Sequence, residues 1–400
     1  MRVRPESVAF TILVGALAAL PPLSVDIGLP AFPALERGLD ATAAGAGLTL
    51  SLFLAGFATA QLILGPLSDR IGRRPVLLAG LAVYTLAGAL CAAAPSIGAL
   101  LGFRLLQGAA AAAGPVMALA IVRDLFDGAA ARTRLSYVAM VLSAAPILAP
   151  TLGGGVVTLA GWRGVYAFLA LAGAVLLPAA TLGMTETRRR PSAHPRLLHG
   201  FARVLGHRRA VLSALANALS FGAVFAYVSG SPLLLMGTLG LPAPLFAASF
   251  ALTTTGILAG SWLNGRLAAR GVAPALPMRL SLLLSLIACA ALLLLLAAGG
   301  RTLVPLLLLL TGFCFARGII GPTATHGAME PMAQIAGAAS ALIGFMQMST
   351  GALSSAVVAA LFPRLGPYAM PLVMTLFAAG SLLAWRGSEL AAAAPSVRQA

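Results

Sequence analysis

GPLSDRIGRRPVL, at Gly65–Leu77, is the densest cluster of charge in a chain that otherwise avoids charged residues. Apolar runs at residues 48–64 and 76–94 flank it, and each is close to the length of about 17 to 25 residues that crosses a bilayer. Glycine and proline favour turns over helices. The pattern therefore predicts a short loop between two buried helices, at a membrane surface. The charged residues and the helix breakers of this stretch are Asp69, Arg70, Arg73 and Arg74, with Gly65, Pro66, Gly72 and Pro75.

The composition of the whole chain is typical of a membrane protein. Hydrophobic residues make up 60% of the 400 residues and charged residues only 9%, whereas a soluble domain carries about 25% charged residues. A soluble helical protein would need hydrophilic helix faces, and the chain lacks them. The formal charge of +16 does not indicate nucleic-acid binding, because the basic residues lie in short turns between apolar runs.

Clusters of Gly, Pro and Arg divide the chain into twelve predicted membrane spans. Of the 26 Arg, twenty fall in segments on one side of these spans or within the first few residues of the adjoining span ends, four fall on the other side and two fall deeper inside spans. Because basic residues concentrate in cytoplasmic loops, we expect both termini in the cytoplasm. The predicted spans are residues 8–30, 44–65, 76–95, 97–122, 133–158, 164–183, 210–236, 243–265, 274–298, 302–325, 333–361 and 367–386.

One long polar segment, residues 185–209, separates six predicted spans from six others. It contains seven Arg, three His and two Pro. This predicts a six-helix half at residues 1–184, a cytoplasmic linker at 185–209 and a second six-helix half at 210–400. The linker either binds lipid or a partner, or it is a connector that its basic residues hold at the anionic leaflet; we favour the connector. A weak internal repeat, GPLSDR at Gly65–Arg70 and GRLAAR at Gly265–Arg270, supports two parallel halves.

Six motifs occur in order along the chain, and together they resemble those of a known family. They are Val25–Pro33, Gly65–Leu77, RLLQG at Arg104–Gly108, the Gly/Pro-rich stretch with Pro146, Pro150, Gly153 and Gly154, Tyr227–Pro232, and Ala339–Gly344. This set resembles the major facilitator superfamily and, within it, the drug:proton antiporters of the Bcr/CflA type. The resemblance covers nearly the whole chain.

The resemblance implies a twelve-helix, two-half transporter of the bacterial inner membrane that alternates access to a central cavity. Residues 146–154 resemble the helix-5 motif of antiporters, which implies export rather than uptake. The expected substrates are amphipathic drugs, chloramphenicol-like or bicyclomycin-like, exchanged for protons. The alternative is proton-coupled export of an endogenous metabolite. We expect a monomer in the lipid bilayer that uses the proton gradient and needs no cofactor, metal ion or nucleic acid.

Asp26 is the one acid well inside a predicted span. A charged Asp at the centre of a membrane helix costs about 2.5–3.5 kcal/mol, so such residues usually face a cavity and have a function. We predict that Asp26 carries the proton; alternatively, it lies at the outer end of its span and is merely solvated. Arg104, inside span 4, stays protonated and must be hydrated or paired. The resemblance ties Arg104 to proton coupling, whereas the alternative is an Arg that extends to the outer surface.

Three charged residues are predicted to meet at the cytoplasmic surface. Asp69 and Arg73 lie after span 2, and Asp124 lies at the end of span 4. The resemblance implies that they form a conformational latch, and Asp69 could also face the N-terminus of span 11. The alternative is a set of exposed ion pairs worth about 0–1 kcal/mol each.

Three residues are candidates for the substrate cavity: Gln107 and Tyr227, which belong to the motifs above, and Arg317 in span 10. Arg317 has no counterpart in the family pattern. It either binds an anionic group of the substrate or reaches the cytoplasmic surface, and we favour the second reading.

An intramembrane enzyme and a sensor are the other classes of membrane protein to consider. A hydrolase needs a nucleophile with a base, or a metal cluster, and the spans show neither HExxH nor GxSxG paired with His. A sensor would carry a soluble signalling domain, and none is apparent. We therefore predict a transporter with no catalytic residue and no metal site.

Overall fold

The computed structural model describes residues 4–187 and 197–393, and these residues form helices and turns without a strand. Ten helices among them are long and apolar enough to cross a membrane. The prediction of an all-helical membrane protein is therefore confirmed. The middle of the predicted linker, residues 188–196, lies outside the described residues.

Two of the ten helices, Gly128–Gly183 and Gly337–Ala392, are 56 residues long, about twice the length that a bilayer requires. Each contains a break. The first is non-helical at Gly161, with φ 64° and ψ −169°, and the second is interrupted by a 3₁₀ turn at Gly366–Tyr368. The first break falls in the gap that the sequence predicts between spans 5 and 6, and the second begins at Gly366, the last residue of the predicted gap between spans 11 and 12.

With the two long helices divided at their breaks, the described residues contain twelve long helical segments. They are α1 (Val8–Asp26), α2 (Ala43–Ile71), α3 (Arg73–Ala92), α4 (Ile97–Leu125), α5 (residues 128–160), α6 (residues 162–183), α7 (Arg208–Ser231), α8 (Ala243–Ala269), α9 (Ala275–Ala297), α10 (Leu303–Met329), α11 (Ala336–Leu365) and α12 (Ala369–Ala393). Shorter elements lie between them: Leu29–Ala31, Phe32–Gly38, Leu197–Gly206, Pro232–Thr238 and Glu330–Ile335.

The charged stretch at Gly65–Leu77 is more helical than the sequence predicts. Helix α2 runs through Gly65 and Pro66 to Ile71, and α3 begins at Arg73, so the connection is Gly72 alone. Gly72 has φ 108°, which only glycine adopts without strain. The prediction of a loop that starts at Gly65 was wrong, because a proline does not by itself end a membrane helix.

The chain forms two compact units. The first contains Met1–Ala193 with Ser231–Ala251, and the second contains His194–Gly230 with Leu252–Ala400. Helices α1 to α6 thus lie in the first unit, and α7 and α9 to α12 lie in the second. The division into residues 1–184, 185–209 and 210–400 stays a prediction.

Helix α4 packs closely against α1 and α2 in the first unit, because glycines let the backbones approach. A Cβ atom on Gly108 would lie 2.6 Å from the carbonyl carbon of Phe53 in α2. A Cβ atom on Gly114 would lie 3.1 Å from the carbonyl carbon of Leu17 in α1. This packing brings the side chain of Arg104, one turn before Gly108, between α1 and α2.

Candidate functional site

Asp26 is the last residue of α1 and is buried, with 5% of its surface exposed. The span continues beyond it, through the turn Leu29–Ala31 and the short helix Phe32–Gly38. Within the described part of the chain, no hydrogen bond or ion pair to its carboxyl group is found. Such burial does not agree with the alternative that Asp26 is merely solvated at the outer end of span 1.

The guanidinium group of Arg104 is buried, with 3% of the residue exposed, and it is held by neutral groups. One terminal nitrogen donates to Oε1 of Gln107 at 2.7 Å, and the other donates to the carbonyl oxygen of Ser24 at 3.2 Å. Nε donates to the carbonyl oxygen of Thr49 at 3.4 Å. Arg104 therefore bridges α4, α1 and α2, and it does not extend to the outer surface.

Two aromatic rings complete the surroundings of Arg104. Its Cζ atom lies 4.4 Å from the ring centre of Phe53 and 5.6 Å from that of Tyr166, so the aromatic faces contribute a cation–π attraction. No carboxylate among the described residues pairs with this guanidinium group. Its positive charge is therefore stabilised by dipoles and ring faces rather than by an ion pair.

Arg104 contacts the turn of α1 that carries Asp26, without contacting Asp26 itself. The carbonyl oxygen that it binds belongs to Ser24, two residues earlier, and the Ser24 hydroxyl lies 2.6 Å from the hydroxyl of Tyr84 in α3. The structure thus brings the two predicted coupling residues to one end of α1 and shows no direct hydrogen bond or ion pair between them among the described residues.

The predicted helix-5 motif lies inside α5, and one of its glycines packs next to Asp26. Pro146 and Pro150 are both helical. A Cβ atom on Gly153 would overlap the carbonyl oxygen of Ile27, the residue after Asp26. A Cβ atom on Gly154 would have only the carbonyl oxygen of Ala243 nearby, at 3.9 Å. Only Gly153 of this pair is therefore required for the close approach of α5 to the end of α1.

Asp69, Arg73 and Asp124 meet at one end of the first unit. A terminal nitrogen of Arg73 lies 2.5 Å from Oδ1 of Asp69, and its Nε lies 3.1 Å from Oδ2 of Asp124. The same terminal nitrogen of Arg73 donates to the hydroxyl of Ser68 at 2.6 Å. Arg73 therefore ties the end of α2 to the end of α4. The predicted contact of Asp69 with the N-terminus of span 11 stays a prediction.

Two further residues of this cluster were missed in the sequence. The carboxylate of Glu186 accepts hydrogen bonds from the backbone N–H groups of Arg73 at 3.0 Å and Arg74 at 3.2 Å, so it caps the N-terminus of α3. The hydroxyl of Thr187 donates to Asp124 at 3.2 Å. The sequence did offer one sign of this contact. Glu186 is the one acid in the basic segment 185–209, and that segment is predicted on the same side of the membrane as Gly65–Leu77.

The predicted cavity residues Gln107 and Tyr227 are both buried. Gln107 accepts the hydrogen bond from Arg104 through Oε1, and its Nε2 is buried without a hydrogen-bond partner among the described residues. The Tyr227 hydroxyl lies 2.5 Å from the hydroxyl of Thr253, at the contact of α7 with α8. Gln107 thus contributes a free donor beside Arg104, whereas the Tyr227 hydroxyl is engaged.

Arg317 lies inside the second unit, in the middle of α10. One of its terminal nitrogens donates to Oδ1 of Asn217 in α7 at 2.8 Å, and Nδ2 of Asn217 donates to the hydroxyl of Thr325 at 2.8 Å. The Cζ atom of Arg317 lies 5.5 Å from the ring centre of Phe221. No acidic partner of Arg317 is found in the described ranges.

The direction of the Arg317 side chain follows from its place on the helix. Leu308, with 68% of its surface exposed, lies nine residues before Arg317, and the exposed His326 lies nine residues after it. At about 100° per residue, nine residues place both side chains on the side of the helix opposite to Arg317. Arg317 therefore points away from the exposed face of α10. It also lies about 18 to 21 Å from the two ends of Leu303–Met329, so it does not reach the cytoplasmic surface, contrary to the reading that we favoured.

A metal centre is not among the candidate sites of the described chain. No group of three or more His, Cys, Asp or Glu that could hold a metal ion occurs in residues 4–187 and 197–393. Glu330, which follows α10, pairs with Arg209 at 3.1 Å.

The helices and these charged clusters define a polytopic helical membrane protein. The family model of the Major Facilitator Superfamily matches residues 15–355. The chain is 30% identical to Multidrug resistance protein D of Escherichia coli (strain K12), over 96% of each chain, and 28% identical to a Bicyclomycin resistance protein homolog of Haemophilus influenzae, over 90% of this chain and 91% of that one. In fold it is similar to a bacterial homolog of the human lysosomal transporter Spinster, with TM-score 0.78 and 14% identity over 98% and 97% of the two chains.

The chain therefore belongs to the Major Facilitator Superfamily. The likeness to the Spinster homolog shows the fold alone, because the two sequences are only 14% identical.

Proposed function

We propose that this protein is a proton-coupled antiporter that exports amphipathic drugs, chloramphenicol-like or bicyclomycin-like, from the cytoplasm. It resides in the bacterial inner membrane with both termini in the cytoplasm, and it works as a monomer by alternating access. The relatives named for multidrug and bicyclomycin resistance support the drug substrates. The distribution of Arg along the chain supports the orientation.

The observation that carries the proposal is the carboxyl group of Asp26, which is buried and has no hydrogen bond or ion pair among the described residues. A buried acid without an ion pair is costly to keep charged and is rarely retained for stability alone. A carboxyl group in such a place can hold a proton on one side of the transport cycle and release it on the other. Asp26 is therefore the proton carrier in this proposal.

Arg104 sets the environment of that carrier. It is a permanent cation hydrogen-bonded to the backbone of Ser24, two residues before Asp26, so it holds the turn of α1 in place. A fixed positive charge near a carboxyl group favours release of its proton. Nε2 of Gln107, buried without a hydrogen-bond partner among the described residues, is a donor for a substrate acceptor in a state of the cycle that opens this site.

The cluster of Asp69, Arg73 and Asp124 acts as the latch. It joins the ends of α2, α3 and α4, and Glu186 adds the segment after α6. These four elements are thereby held together at one end of the first unit. Breaking the cluster should change the balance between inward-open and outward-open states, because the charges lie far from the middle of the spans.

Arg317 contributes to substrate binding in the second unit. An Arg in the middle of a membrane helix is expensive and usually functional. Among the described residues, the half-buried Arg317 has the neutral partners Asn217 and Phe221 and no acidic partner. Its remaining N–H donors suit an anionic group on the drug, and they can also donate to the weaker acceptor oxygens of a nitro group. The ring of Phe221 offers an apolar surface beside that group.

Substitution of Asp26 by Asn tests the proposed function, because the amide has the shape of the carboxyl group and cannot exchange a proton. The matched control is Asp40→Asn: Asp40 is exposed and has φ 49°, a conformation that Asn also adopts readily. Purified protein in proteoliposomes, with an imposed pH gradient and radiolabelled chloramphenicol, should show transport for wild type and Asp40→Asn and none for Asp26→Asn. Full pH-driven transport by Asp26→Asn would overturn the proposal.

A further inference from the structure

The strongest unassigned feature of the second unit is a groove between α9 and α12. Its volume is about 480 Å³, and its walls come from one face of each helix, since the lining residues follow helical spacings. They are Arg279 and Leu283 of α9, with Leu382, Trp385, Arg386, Glu389 and Leu390 of α12.

Apart from the exposed Leu390, three residues from the end of α12, the groove is charged toward the helix ends and apolar further in. Arg279 lies four residues after the start of α9, and Glu389 lies four residues before the end of α12, so both are about 6 Å from the helix ends. Leu283 and Leu382 lie eight and eleven residues from the same ends, about 12 and 16 Å inside. This order, charge at the surface and apolar side chains below it, matches the two parts of a phospholipid.

The charges of the groove do not cancel. Nε of Arg279 donates to the two carboxylate oxygens of Glu389 at 2.9 and 3.3 Å, which leaves its terminal nitrogens without a partner among the described residues. Arg386 has no acidic partner in the described part of the chain. Two guanidinium groups thus face one carboxylate, and the groove has an excess positive charge of one.

Trp385, which forms part of the groove wall next to Arg386, is fixed by packing. Trp385 packs against the buried cluster formed by Met278, Leu282, Ala316, Ile320 and Ala324. The indole ring is therefore held in place, eight residues or about 12 Å from the end of α12. A groove whose wall is already ordered binds a ligand without a large cost in side-chain entropy.

We infer that this groove binds an anionic phospholipid. The phosphate group lies between Arg386 and the terminal nitrogens of Arg279, where each guanidinium group can donate two parallel hydrogen bonds to its oxygens. An acyl chain runs along Leu283 and Leu382 against the ring of Trp385. A basic site between membrane helices is where acidic headgroups bind. The inference does not depend on the proposed transport function.

Native mass spectrometry of the purified full-length chain tests this inference, with phosphatidylglycerol and phosphatidylcholine titrated separately. Phosphatidylglycerol should bind about tenfold more tightly, and Arg386→Gln should remove that preference, whereas Arg386→Lys should keep part of it. The matched control is Arg266→Gln, because Arg266 lies 4.8 Å from the ring centre of Trp262 in α8 and is outside the groove. It should leave both affinities unchanged.

Three results would overturn the inference. The first is equal affinity of wild type for the two lipids, and the second is an equal effect of Arg386→Gln and Arg266→Gln. The third is displacement of phosphatidylglycerol by an equal concentration of glycerol phosphate, which would show a site for a soluble anion without a role for the apolar part. Circular dichroism of each variant checks that its helices are retained, and Arg386 is exposed, so its replacement leaves the core intact.

Discussion

Replacing Gly153 by Ala should separate α5 from the end of α1 and thereby disturb Asp26. The added Cβ atom would overlap the carbonyl oxygen of Ile27 and lie 2.9 Å from its carbonyl carbon. Both partners are backbone atoms, so no side-chain rotation can relieve the contact. The helices must move apart by about half an ångström or more at the residue that follows Asp26.

The expected cost follows from this contact. Overpacking of a well-packed site costs about 1–3 kcal/mol, and the higher helix propensity of Ala returns about 0.5–1 kcal/mol. The net loss is therefore about 0–2.5 kcal/mol, and a loss in the middle of this range, about 1–2 kcal/mol, corresponds to about a 5- to 30-fold change in the folding equilibrium. Gly154→Ala and Gly155→Ala are the matched controls, since their Cβ atoms would meet one atom at 3.9 Å and nothing within 4 Å, respectively.

The assay combines thermal unfolding in detergent with drug transport in proteoliposomes for the three variants. Gly153→Ala should lower the unfolding temperature and reduce transport, whereas Gly154→Ala and Gly155→Ala should match wild type or be slightly more stable. Equal behaviour of all three variants would refute the reasoning, because helix propensity and family motif alone do not distinguish Gly153 from Gly154.

Three other predictions concern the latch, the cavity and the orientation. Asp69→Asn should slow transport and change drug affinity by no more than about fivefold, the factor that corresponds to about 1 kcal/mol. Equilibrium drug binding and transport, measured in one preparation with the exposed Asp127→Asn as control, check this. A much larger loss of affinity would place Asp69 in the binding site. Arg317→Gln should weaken export of drugs with an anionic or nitro group more than export of drugs without one, whereas equal losses would indicate a structural role. A cysteine at the exposed position 185 should react with an impermeant thiol reagent only from the cytoplasmic face. The native Cys91, Cys289 and Cys314 are buried, so they should add little background. Labelling in intact cells would reverse the topology.

Local patterns were sufficient to predict most of the fold. The breaks at Gly161 and Gly366 fall where Gly and Arg interrupt the apolar runs, because a few neighbouring residues determine whether a helix continues. The prediction failed at Gly65 and Pro66, which lie inside α2. Whether a proline ends a membrane helix depends on what its neighbours offer to the released carbonyl, and that is not a local property.

The candidate site was predictable in its residue types and not in its contacts. Asp26 and Arg104 stand out because charge inside an apolar run is expensive, yet the partners of Arg104 are carbonyl oxygens and rings from α1, α2 and α6. No pattern of residue types marks a carbonyl oxygen as a partner. Glu186 was missed for a similar reason, since its partners are the backbone N–H groups of Arg73 and Arg74.

The amino-acid sequence by itself determined that the chain is a helical membrane protein. It also determined approximately where the helices begin and end, and which charged residues are costly to place inside them. Hydropathy and turn preference suffice for this because they are sums over neighbouring residues. The tertiary structure alone decided that Gly153 rather than Gly154 touches Ile27, and that Arg317 turns toward Asn217 and away from the exposed face of α10. These outcomes depend on contacts between residues far apart in the chain. Such contacts are set by how the helices pack, and helix packing is a property of the assembled unit.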